Sequence, residues 1–117
     1  MRVPALLVLL AAAMPAWAVS SEAAEFIEAS RKLEAVQCER QKLRREIALA
    51  EAERDAARAQ ALRARFDALG RDREVARLER RLAELQPRIL DGDGRPRRAE
   101  DLDAISLQRR EAFYRCR

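Results

Sequence analysis

Between Ala16 and Leu69 the sequence contains neither glycine nor proline. The stretch is dominated by Ala, Glu, Arg, Leu and Gln, side chains that lose little freedom in a helix, so its local preference is helical throughout. With Phe26 at heptad position a, the successive a and d positions read Phe26, Ala29, Leu33, Val36, Arg40, Leu43, Ile47, Ala50, Arg54, Ala57, Ala61 and Ala64. Ten of these twelve are apolar, and the pattern predicts a long, coiled-coil-like helix. The register slips at Leu62, Phe66 and Leu69. It resumes as Val75, Leu78, Leu82, Leu85 and Ile89, and a third stripe follows as Leu102, Ile105, Arg109, Ala112 and Cys116, broadened by Phe113.

The breakers divide this pattern. Gly70 reads as a helix C-cap and Asp72 as the cap of the next helix, while Pro87 marks a kink or early stop. Asp91–Pro96, "DGDGRP", reads as a turn, and Pro96 suits a first helical position. The expectation is therefore an all-α fold with helices over about 21–69, 72–90 and 96–115, the long one broken near Gly70. At this length one domain, residues 19–117, accounts for everything after the leader.

Residues 1–18 have the layout of a secretory signal peptide. Arg2 precedes an apolar run from Val3 to Met14, and Ala16-Trp17-Ala18 supplies an A-x-A cleavage site. The run is shorter than the roughly 20 residues that span a bilayer, so no stable transmembrane span is expected after cleavage. The expected address is periplasmic or secreted. Removal of the leader takes away one arginine, which lowers the net charge from +4 to +3.

Composition narrows the chemistry. The chain has no His, Thr or Asn, and its two cysteines are far apart. Zinc coordination and His-activated nucleophiles are therefore not expected. Counted as an EF-hand loop from Asp91, the turn places Arg95 at position 5, Pro96 where glycine belongs and Leu102 where the bidentate glutamate belongs. No cofactor, metal or catalytic site is expected, and the protein reads as a non-enzyme. Arginines and lysines crowd Arg31–Arg45 (Arg31, Lys32, Arg40, Lys42, Arg44 and Arg45), but acids interleave with them and export argues against nucleic acid. The primary expectation is an interaction or structural module whose helical seam takes a protein partner or a second copy. The alternative is a holdase-type chaperone or a binder of anionic envelope surfaces through the basic patch.

Two cysteines in an exported chain are expected to pair. In the heptad register Cys38 lies on the back of the seam, so its partner must approach from the side. If the last helix folds back on one uninterrupted long helix, Cys116 comes to rest beside residue 71, about 50 Å from Cys38. A disulfide needs Cα atoms within about 7 Å. The bond therefore requires either a chain reversal at Gly70, giving an intramolecular link, or an antiparallel second chain with its dyad near Arg54–Asp55. The intramolecular link is the first choice.

Overall fold

The computed structural model describes residues 19–116. The predicted signal peptide lies outside them. The fold is all-α, with four helices among the described residues: α1 (Ser21–Ala52), α2 (Ala56–Arg71), α3 (Arg73–Ile89) and α4 (Ala99–Arg115).

The expected single helix over 21–69 is two helices, and the chain reverses between them at Glu53–Asp55. The break is a Schellman turn built without glycine. Asp55 N–H reaches back to the Ala50 carbonyl at 2.9 Å and Arg54 N–H to the Glu51 carbonyl at 3.1 Å, while Arg54 takes φ 57°. Holding a non-glycine residue in the left-handed region costs roughly 1–2 kcal/mol. Asp55 completes the turn by capping the next helix, its carboxylate accepting from Arg58 N–H at 3.1 Å. Compensation comes from packing. Ala59 and Leu62 are buried against Leu43 and Ala50, with Ile47, Phe66 and Leu69 around them. The slipped residues Leu62, Phe66 and Leu69 are thus the inward face of α2. Ala57, Ala61 and Ala64, expected on the seam, are exposed because the turn resets the helical phase.

No reversal occurs at Gly70. The helix passes through it to Arg71, and the break near it falls at Asp72, which takes extended angles (φ −58°, ψ 131°) and caps α3 through Val75 N–H. Gly70 answers a different need: a Cβ there would stand 3.2 Å from a guanidinium nitrogen of Arg40. The return arm then continues along α1. Val75 and Leu78 bury Ala29 and Leu33, with Val36 and Leu82 packed alongside. Leu85, Ile89 and Leu90 bury Ala23 and Ile27. Pro87 does not stop α3, which runs two residues beyond it.

The Asp91–Pro96 turn is held from within. The Asp91 carboxylate accepts from the N–H groups of Asp93 (2.9 Å) and Arg95 (3.0 Å), and Gly94 takes φ 76°. These bonds hold the Asp91 carboxyl below its ordinary range, the Arg95 N–H contributing most. Pro96 does not begin the last helix; it bridges Leu90 in a short antiparallel contact, and α4 starts at Ala99. From there α4 runs parallel to α1. Its inner face carries Asp101, Ile105 and Gln108, all buried. One end of the molecule is thus three helices thick, whereas the end at Arg54 is a two-helix hairpin.

Candidate functional site

The features that set this chain apart gather where α4 lies on α1. Its upper anchor is a buried carboxylate. Asp101, 1% exposed, accepts from the Ser20 N–H at 2.9 Å and from the Ser20 hydroxyl at 2.8 Å. The same hydroxyl accepts from Ala23 N–H at 3.2 Å, which makes Ser20 the cap of α1. Asp101 lies in the first turn of α4 and at the start of α1, so its charge faces the positive ends of two helix dipoles.

The lower anchor is the Cys38–Cys116 disulfide, with Cα atoms 5.4 Å apart. It is intramolecular. Cys38 occupies the flank of α1 away from α3, and α4 crosses that flank to meet it. In the chain-entropy view, a bond closing a loop of this size stabilises the fold by roughly 4–5 kcal/mol. Between the anchors, Ile105 enters the apolar cluster of Ala23, Ile27, Leu85 and Ile89. Arg115 bonds both oxygens of Glu34 at 3.0 Å, and Gln108 lies 3.5 Å from the same carboxylate. The Glu34 carboxylate beside it raises the Arg115 pKa.

Open grooves flank the disulfide on both sides. One, of about 420 Å³, runs between α4 and α3 across α1. Four of the chain's five glutamines line it (Gln37, Gln41, Gln86 and Gln108), with Phe113 at its edge. The other, of about 430 Å³, lies on the opposite side and carries Arg31, Lys42 and Arg115 together with Glu34 and Glu39. Both cysteines line both grooves.

The seam residues of the sequence reading fall into three groups. Leu33, Leu43, Val75, Leu78, Leu85, Ile89 and Ile105 are buried. Phe26, Val36, Ile47 and Leu82 are half-buried at the edges of the same clusters. Leu102 and Phe113 are not on a seam: they are 48% and 74% exposed. The two anchors fix the rotation of α4 so that Asp101, Ile105 and Gln108 face inward and the apolar flanks face out. Leu107 and Tyr114, which the periodicity did not single out, are exposed beside them, and the Tyr114 ring meets Phe113 edge-on at 5.5 Å.

The basic patch is dispersed. Arg31, Lys32 and Arg45 are exposed. Arg40 is drawn into the α1–α3 interface, where it pairs with Glu79. Arg40 and Arg44 also lie over the Phe66 ring, 5.9 and 5.2 Å from its centre. Lys42 is half-buried in the groove beside the disulfide. Elsewhere, ion pairs tie the arms together: Arg81 to Glu25, Arg63 to Glu51 and Arg65 to Glu39. The Arg81 guanidinium holds the Glu25 carboxyl below its ordinary 4.5, and Arg77 does the same to Glu74.

Among the described residues no group of three or more His, Cys, Asp or Glu side chains is arranged to hold a metal ion. No helix among them is long and apolar enough to cross a membrane. Compared with models of protein families, with curated proteins and with solved structures, the chain matches none.

Proposed function

We propose that this protein is an exported, non-catalytic helical module that works by docking another protein. The observation that carries the reading is the orientation of α4. It buries Asp101 and Gln108 and turns Leu102, Leu107, Phe113 and Tyr114 to solvent, each about half exposed or more. Exposing large apolar side chains while burying polar ones opposes the usual partition, and a partner that covers the exposed set supplies a reason for it. The disulfide supports export, because such bonds persist in oxidising compartments. The signal-like leader supports the same address.

An anionic-surface role draws less support. Arg40 is paired with Glu79 and Lys42 is half-buried, which leaves Arg31, Lys32, Arg44 and Arg45 as the exposed cations among the residues of that patch.

The test is crosslinking from the envelope with the mature protein and with a variant carrying Phe113→Ser and Tyr114→Ser. The reading expects specific partners, or a second copy, captured by the native chain and lost from the variant while its helicity is kept. Identical capture by both, or a native chain that sediments as a monomer and captures nothing, sinks it.

A further inference from the structure

We propose that the Cys38–Cys116 disulfide is a redox latch: its reduction releases α4 while the α1–α3 hairpin stays folded, uncovering the apolar surface of Ala23, Ile27, Leu85 and Ile89. Three observations lead there. The first is how unevenly α4 is held. Ile105 is its one fully buried large apolar side chain, and the rest of its inner face is the carboxylate of Asp101, the amide of Gln108 and small alanines. The second is that the hairpin has a core of its own. The clusters around Leu33, Val75 and Leu78 and around Leu43, Ala50, Ala59 and Leu62 contain no residue of α4. The third is access. Both cysteines are only half-buried and line the open grooves on either side, so a thiolate can reach the sulfurs from two directions.

The chemistry balances with a dithiol reductant, either a small molecule or a thioredoxin-type protein. Its thiolate attacks one sulfur, the Cys38–Cys116 bond breaks, and a mixed disulfide forms. Its second thiol then displaces the protein sulfur. Two electrons and two protons pass to the chain, leaving two thiols, and the reductant becomes the disulfide. Once the bond is gone, α4 is tethered only through the turn after α3. Loop closure over roughly 25 residues implies that the undocked population rises on the order of 10²- to 10³-fold. The latch is independent of any docking partner, so the two readings fail separately.

Hydrogen exchange on the mature chain, oxidised and then fully reduced with dithiothreitol, tests it. The expected result is exchange faster by that factor for the amides of Ile105–Ala112, with the amides around Leu33, Leu43 and Leu78 still protected in the reduced chain. Cys38→Ser and Cys116→Ser, without reductant, should each reproduce the reduced pattern. Reoxidation with glutathione disulfide should restore protection in a monomer. Unchanged protection of α4 after reduction overturns the proposal. So does loss of protection throughout α1–α3, which would make the bond a global staple, and so does reoxidation only to a linked dimer.

Discussion

Ser20 and Asp101, 81 positions apart, are joined by two hydrogen bonds, one from the Ser20 backbone N–H and one from its hydroxyl. The pair fixes the start of α1 against the start of α4. Asp101 is buried, so removing its carboxylate takes the partner from two Ser20 donors. Asp101→Ala should cost roughly 2–3 kcal/mol in chemical denaturation. Ser20→Ala, which leaves the backbone N–H contact intact, should cost about 1 kcal/mol. The double variant should lose less than the sum. Strict additivity would show that the two residues do not act as a unit.

The left-handed Arg54 makes an opposite prediction. Glycine adopts the φ of 57° that Arg54 holds without the clash that an L side chain meets. Arg54→Gly should therefore stabilise the fold by up to about 1 kcal/mol, part of the relief being offset by the entropy of glycine in the unfolded chain. Arg54→Val should destabilise by a similar amount, because a β-branched residue is a poor occupant of that region. Thermal melts of the three proteins decide it. A glycine variant less stable than the parent would mean that the Arg54 side chain contributes contacts of its own.

Acid stability follows from three carboxylates, of which Glu25 and Glu74 are exposed. Glu25 and Glu74 lie below their ordinary 4.5 through Arg81 and Arg77, and Asp91 below its ordinary 3.8 through the Arg95 and Asp93 N–H groups. A carboxyl with a lowered folded pKa stabilises the fold above its unfolded value and loses that contribution as pH falls through the folded one. The melting temperature should therefore hold steady from about pH 8 to 5 and fall below about 4.5. High salt should shrink the Glu25 and Glu74 share, which depends on exposed ion pairs, more than the Asp91 share, which depends on backbone bonds. A melting temperature that stays flat or rises as pH falls toward 3 would contradict this assignment.

How much of this was legible in the sequence depends on which residues carried the signal. The apolar stripe through Leu33, Leu43, Leu78 and Leu85 is a matter of spacing, and spacing can be read. The reversal at Arg54 could not be read from residue type, since Glu53, Arg54 and Asp55 include neither glycine nor proline. Tertiary packing imposes a left-handed residue that local preference would not choose. Its trace in the sequence is the phase slip at Leu62, Phe66 and Leu69, beside Asp55, a residue type that caps helices. The cysteine geometry came close. The intramolecular Cys38–Cys116 link is the expected one, and the reversal that permits it lies at Arg54 rather than at Gly70. The point expected as a dyad between two chains, Arg54–Asp55, is the turn of one chain. The outward set Leu102, Leu107, Phe113 and Tyr114 was hidden because the rotation of α4 is decided by Ser20 and Cys38, distant residues that its own periodicity does not encode.

Asp72 has a consequence for how the molecule comes apart. It separates the stripe ending at Leu69 from the one starting at Val75, as Arg54 separates that stripe from α1. The protein therefore has no single continuous seam: the return arm carries two apolar blocks laid end to end, Leu62–Leu69 and Val75–Ile89, each in phase only with the stretch of α1 it covers. Damage to one block need not propagate to the next. The block beside Arg54 is the one without α4 and without the disulfide, so opening should begin at that tip and travel toward the cysteines.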